Sequence, residues 1–270
     1  MTVTYPWRPH ANAPSVPWFQ RPFALFDVET SGVRRDEDRI VSATVAYSEP
    51  GHETVVHEWL INPGVELAPE AVEIHGLTNE HLRENGQDPA AAIGEITDML
   101  DAMLQPGIPL VVFNAPFDIT MTDREQRRHG ITPLIDRKPG FPVICPLTID
   151  KAVNKYVKGR GMRKLTPTAA RYGFELKDAH DATNDVLATL AVARSLPFEQ
   201  PGDDHTVRRN RQHLAAMSLE QLQANQRHWY YTQKTGLADY FAREGDHEAA
   251  KSCRAEAPFF PFVPVGELVD

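Results

Sequence analysis

The order of apolar and polar positions divides this chain into a strand-rich opening, an alternation of helices and strands, and a helical end. Phe23-Ala24-Leu25-Phe26 begins a buried strand, Phe23–Glu29. Arg39–Tyr47, rich in Ile, Val and Thr, and Thr54–Ile61 read as two more strands. Gly32 and the charged run Arg34–Arg39 separate the first two. Glu49-Pro50-Gly51-His52 separates the next two. Such short turns imply antiparallel neighbours.

After Asn62-Pro63-Gly64 the period changes to that of helices. Pro69–His75 is a short helix, and Thr78 caps another that runs to Glu84. Asp88-Pro89 starts a longer one, with Asp as N-cap and Pro in the first turn. Its stripe of Ile93, Ile96, Met99, Leu100 and Met103 has helical spacing, and Pro106-Gly107 ends it. Leu110-Val111-Val112-Phe113 is fully apolar, as in a strand covered on both faces. Helix Phe117–His129, strand Pro142–Cys145, and helices Leu147–Tyr156, Thr166–Tyr172 and Asp181–Leu196 follow. Three strands and then alternating elements predict an α/β fold, a mixed five-stranded sheet with helices on both faces. Pro197–Asp204 reads as a linker. Thr206–Tyr231 and Leu237–Ala257 carry helical spacing. The expected organisation is an N-terminal arm (1–22), a main domain (23–198), and a small C-terminal helical appendage with a tail (203–270). The proline-rich arm either packs through Trp7, Trp18 and Phe19 or forms a flexible tail.

Composition adds bounds. The 270 residues are 41% hydrophobic and 24% charged, ordinary for a globular protein. Cys145 and Cys253 lie far apart, without a C-x-x-C pattern, which suggests a reducing compartment. No apolar stretch approaches the length of a membrane span, and no basic-then-apolar leader stands at the N-terminus. A cytoplasmic protein with no membrane partner is expected. The net charge of −9 argues against a protein that coats DNA by bulk electrostatics. It leaves open an enzyme that touches a few nucleotides.

Candidate chemistry gathers at three places. Asp27 and Glu29 are two residues apart, so on one strand they share a face. Two such carboxylates repel unless one is protonated or a cation lies between them. They also fit a strand that ends at Phe26, with both acids solvated in the next turn. Asp118 begins a helix just after the carboxyl end of a central strand, where open α/β sheets place ligands. It equally suits a helix dipole. His180 and Asp185 flank the start of the last helix of the main domain; His180 alone also reads as a surface histidine.

In this order, Phe26-Asp27-Val28-Glu29-Thr30-Ser31-Gly32, Val112–Asp118 and His180–Asp185 resemble the three motifs of the DEDDh exonucleases of the DnaQ-like family. Ile74-His75-Gly76-Leu77-Thr78 is similar to a segment of its proofreading branch, that of the DNA polymerase III epsilon subunit. Phe113 stands where many members have His, which touches no ligand. The resemblance spans about Phe23 to Leu196 and implies a ribonuclease H-like fold. It also implies a metal-dependent 3′–5′ exonuclease that releases 5′-mononucleotides, with DNA ahead of RNA as substrate and a polymerase as a possible partner. The alternatives are an exoribonuclease of the same superfamily and a non-catalytic adaptor. By the same resemblance, Asp27 bridges two divalent ions, Mg²⁺ or Mn²⁺; Glu29 and Asp185 complete the first, Asp118 supports the second, and His180 is the general base. Thr30, Ser31, His75, Leu77, Thr78, Asn114 and Phe117 are candidates for holding the terminal nucleotide. Phe117 also fits the core, and Asn114 a turn.

Lys151, Lys155, Lys158, Arg160, Arg163 and Lys164 form a basic stretch with no acid between them. It reads either as a guide for the phosphate backbone of a single strand or as a solvated loop. Arg208, Arg209 and Arg211 form a second basic run.

Overall fold

The computed structural model describes residues 16–105, 107–176 and 182–266. Three strands come first: β1 (Phe23–Thr30), β2 (Ile40–Ser48) and β3 (Val55–Leu60). Helices α1 (Pro69–His75), α2 (Asn79–Asn85) and α3 (Pro89–Met103) follow. Next come β4 (Leu110–Val111), α4 (Ala115–Arg128), α5 (Leu134–Arg137) and β5 (Val143–Ile144). Helices α6 (Pro146–Val153), α7 (Leu165–Arg171) and α8 (Ala182–Ser195) complete the expected main domain. The strands form one mixed sheet in the order β3-β2-β1-β4-β5, with β1 antiparallel to β2, β2 antiparallel to β3, and β4 and β5 parallel to β1.

The alternation along β1 decides which helix meets which side chain. Ala24, Phe26 and Val28 join Ile93, Ile96, Leu100 and Ile119 in one apolar cluster, so α3 and α4 cover that face. Phe23 and Leu25 join Ile149, Ala169, Val186, Val192 and Leu196 in the other, under α6, α7 and α8. Each large side chain in these layers contributes about 1.5–3 kcal/mol through burial. Asp27 and Glu29 continue the series that starts at Phe23 and Leu25, so they lie on the α8 face. The expected helix caps are present: Thr78 accepts from the His81 N–H, and Asp88 from that of Ala91. Strand β4 is shorter than its apolar run, because Asn114 leaves the strand direction and Pro116 pre-sets the first turn of α4.

Past Pro197 the chain is helical, with boundaries that differ from those expected. Helices α9 (His205–Ala215), α10 (Leu219–Glu244) and α11 (His247–Glu256) replace two segments. The first break falls at Ser218, whose hydroxyl accepts from Gln221 N–H while the Gln221 side chain returns to Ser218 N–H. Gly236 lies within α10, and Gly245, at φ 83°, ends that helix. Helix α10 lies along the open edge of β5. Gln226 accepts from Cys145 N–H at 2.7 Å and donates to Val143 O at 2.8 Å, and Gln223 accepts from Val143 N–H at 3.0 Å. These amides take the place of a sixth strand and close an edge otherwise free to pair with another chain. Trp18 and Phe19 are buried, and the Trp18 indole donates to Leu214 O; Trp7 lies outside the described residues. Among the described residues, no helix is long and apolar enough to cross a membrane.

Candidate active site

Three elements meet where β1 ends. Strand β1 supplies Asp27 and Glu29, the first turns of α4 supply Asp118, and the first turn of α8 supplies Asp185. One carboxylate oxygen each from Asp27, Glu29 and Asp185 lies within 4.8 Å of the other two. Asp118 approaches from the opposite face, where β4 has already stopped. Its Oδ1 accepts from the Val28 N–H at 3.3 Å, between the two strand acids. The pairing of β1 with β2 shifts register at Glu29–Thr30, a local bend of the kind found beside active sites.

Electrostatics show the strain of this gathering. Burial, then the charges of Asp118, Glu29 and Asp185, push the Asp27 carboxyl well above the carboxylate range. Burial, then the Asp185 charge, raises Glu29 to about 7. Burial raises Asp118 to about 8, against the two backbone N–H groups that stabilise its anion. Among the described residues, no Lys, Arg or His forms an ion pair with Asp27, Glu29 or Asp118. A cluster of hard oxygen donors with no such counter-charge fits a divalent metal of the Mg²⁺ or Mn²⁺ type.

The other expected residues divide into groups. His180 lies outside the described residues. Thr30 donates its hydroxyl to Gly32 O. Ser31 donates to Asp38 Oδ1 and accepts from the Arg39 N–H, and its own N–H donates to Arg39 O. Both hydroxyls therefore serve the turn that follows the acids. Gly32 is needed there because a Cβ would lie 2.5 Å from Asp38 Oδ2. His75 is buried, and its Nδ1 accepts from the Leu77 N–H; Thr78 is exposed and caps α2. The Ala68 N–H donates to Ser31 O, which joins the segment before α1 to the turn after the acids. Asn114 is exposed at the N-terminus of α4 with no capping bond. Phe117 is half-buried against the α3 side of the core.

Sequence reasoning missed what holds the loop between β1 and β2, where the run Arg34–Arg39 reads only as a spacer. Arg35 pairs with Glu256 of α11 at 2.8 Å, and Arg124 of α4 bonds Asp36 at 2.6 Å and Val263 O at 3.0 Å. The C-terminal segment is thereby joined to the loop that follows the acids. The density of charge in that run was the available signal; the partners, over 200 residues away for Arg35, were not readable.

Comparison with known proteins adds a family. Residues 25–193 match the family model RNase_T, described as an exonuclease family. The PolC-type DNA polymerase III of Streptococcus sanguinis is 26% identical over 167 residues, 62% of this chain and 10% of the polymerase. That of Lactococcus lactis is 25% identical over 178 residues, 66% of this chain and 10% of the polymerase. This chain thus spans about a tenth of the length of those relatives. Among solved structures, an exonuclease I has a TM-score of 0.59 at 22% identity, covering 72% of this chain and 43% of that one. The complex of E. coli exonuclease I with a dT13 oligonucleotide has a TM-score of 0.55 at 22% identity, covering 65% and 40%. These likenesses show the fold, a ribonuclease H-like mixed five-stranded sheet. With the family model covering well over half of the chain, the protein belongs to the RNase_T family of exonucleases, within the DnaQ-like 3′–5′ group that its three acidic motifs indicate.

Proposed function

We propose that this protein is a metal-dependent 3′–5′ exonuclease that shortens single-stranded DNA and releases 5′-mononucleotides, with residues 23–198 as its catalytic unit. One observation carries the reading: four acids from three elements converge at the end of β1, and no cationic side chain among the described residues pairs with Asp27, Glu29 or Asp118. Asp27, Glu29 and Asp185 are assigned to one ion, and Asp27 with Asp118 to the other. Two divalent ions, Mg²⁺ or Mn²⁺, would supply the Lewis acidity that activates a water and stabilises the leaving 3′-oxygen. His180 is assigned the removal of the proton from that water, a role suited to a side chain that titrates near neutrality. His75, Leu77, Thr78, Asn114 and Phe117 are assigned contacts to the terminal nucleotide, and Thr30 and Ser31 the turn that positions it. DNA is favoured over RNA because the polymerase relatives are DNA polymerases and a fold neighbour is complexed with oligo(dT). The polymerase relatives also make a polymerase the favoured partner class.

The test is direct. The protein is incubated with 5′-labelled single-stranded DNA or RNA in Mg²⁺, Mn²⁺ or EDTA. Metal-dependent shortening of the DNA from its 3′ end is expected, with EDTA abolishing it. Preferential shortening of RNA would make the protein an exoribonuclease. No shortening of either strand under any condition would leave a non-catalytic adaptor.

A further inference from the structure

The basic stretch after α6 divides in the structure. Arg163 turns inward to Asp150 and donates to Asn154 O at 2.5 Å. Lys151 is half-buried on α6, where burial lowers its pKa. Lys155, Lys158, Arg160 and Lys164 remain exposed. Among the described residues, none of these four has an acid within ion-pair distance. That is unusual on a chain of net charge −9, where most arginines near them are paired. Between the first two stands Tyr156, 82% exposed. Gly159 and Gly161, at φ 109° and 81°, turn the chain so that Arg160 sits at the tip between them.

The fold places this loop away from the acids. Strand β5 is parallel to β1, so α6 starts at the end of the sheet where Asp27 and Glu29 lie and leads away from it. Eight residues of helix carry the chain about 12 Å. There Val153 O accepts from Asn210 of α9, and Asp150 binds Arg171 and Tyr172, which pin the loop's two ends to the body. An exposed aromatic ring among unpaired cations is the composition that grips single-stranded nucleic acid: the ring stacks on a base and the cations meet phosphates.

We propose that the loop 154–164 is a second contact for single-stranded nucleic acid, separate from the catalytic cleft, that holds the strand upstream of the nucleotide being removed. The identity of that strand as substrate rests on the exonuclease reading. The loop therefore makes binding depend on strand length.

Binding of 5′-fluorescent oligo(dT) of about four and about twenty nucleotides, in EDTA, is followed by anisotropy over a range of salt for the full-length protein, Tyr156→Ala and the double variant Lys158→Glu/Arg160→Glu. For the long strand, each variant should bind about tenfold more weakly. In the double variant the slope of log affinity against log salt should become shallower by about 1.4, because two fewer phosphates are neutralised. Hydrolysis of the short strand in Mg²⁺ should stay at the level of the unaltered protein. Unchanged long-strand affinity and slope would overturn the proposal. So would an equal loss on the short strand, because the loop would then act on the catalytic cleft itself. Failure of the unaltered protein to hydrolyse either strand would overturn the exonuclease reading, while the EDTA measurements would still decide the role of the loop.

Discussion

Two groups of acids in this molecule are built in opposite ways. Below the α8 face, Asp150 is buried between Arg163 and Arg171 and accepts from the Tyr172 hydroxyl at 2.8 Å. Near it, Asp203 is buried against Arg211. Asp123 similarly meets Arg124 and Arg127. At the end of β1, Asp27, Glu29 and Asp118 are brought together with another carboxylate, Asp185, as neighbour and, among the described residues, no cationic partner for those three. In the first group, Asp150 and Asp203 use charge to tie neighbouring segments together, and Asp123 is neutralised within α4. The second stores repulsion at one spot, which folding tolerates only through protonation or an ion from outside. Arginines reach the buried acids Asp150, Asp203 and Asp123, and none among the described residues reaches Asp27, Glu29 or Asp118, which sets the second group apart.

The largest expected effect is on catalysis. Asp185→Ala should lower exonuclease activity by at least about a thousandfold, the scale of losing a group that organises charge in a transition state. Asp150→Asn should leave the chemistry in place and cost about 3 kcal/mol of stability, because Arg163 and Arg171 lose their buried partner. Urea unfolding of Glu29→Gln and Asp150→Asn in EDTA sharpens the contrast, since Glu29→Gln relieves like-charge repulsion with Asp185 and should be at least as stable as the parent. If Glu29→Gln destabilised the metal-free protein as much as Asp150→Asn does, the two groups would be of one kind.

The pH dependence should follow the same division. Burial and mutual repulsion raise Asp27, Glu29 and Asp118 above their unfolded values, Glu29 to about 7 and Asp118 to about 8. The folded protein therefore holds protons that the unfolded chain releases near pH 4. These groups contribute their full stability below that pH, and the contribution is lost as pH rises through about 7 and 8. In EDTA, the melting temperature should fall between pH 5 and pH 9 by several degrees beyond the trend of the Asp27→Asn/Asp118→Asn variant. Mg²⁺ added at pH 8 should restore it. A parent and variant with parallel pH profiles would mean that the acids are solvated and ordinary.

Gly32→Ala tests the turn that separates the acids from the loop. Its Cβ would meet the Asp38 carboxylate, which also accepts from the Arg34 N–H at 2.7 Å, so the turn cannot yield without losing bonds. A loss of about 1–2 kcal/mol is expected, as for overpacking elsewhere, together with a raised KM for the oligonucleotide.

The strand that carries Asp27 and the helix caps that follow it were legible because each depends on local pattern. The apolar run before Asp27, the Asp88-Pro89 cap and the Thr78 cap are decided within a few residues. The pairing of Asp150 was not legible, because its partners lie outside the local pattern, 13 and 21 positions on. For the same reason Arg163 reads as a member of one free basic run, and Lys151 does so because its partial burial on α6 is not written in the local pattern. The capping box at Ser218 could have been read, but helical spacing on both sides masked it. The glutamines at the edge of β5 could not, since nothing in Gln223 or Gln226 announces a strand edge 80 residues earlier.

The smallest effect concerns the bond between the C-terminal helices and the loop beside the site. Arg35 on that loop and Lys234 on α10 both reach Glu256 on α11. Arg35 and Glu256 are mostly covered, so their pair exceeds the few tenths of a kcal/mol typical of exposed ones. A double-mutant cycle of Arg35→Met and Glu256→Gln, read by urea unfolding, should give a coupling of about 1 kcal/mol. Because the loop continues from Gly32, either single change should raise KM more than it lowers kcat. Zero coupling would place Glu256 outside the group of structural acids. Coupling with an unchanged KM would show that α11 stabilises the fold without reaching the site.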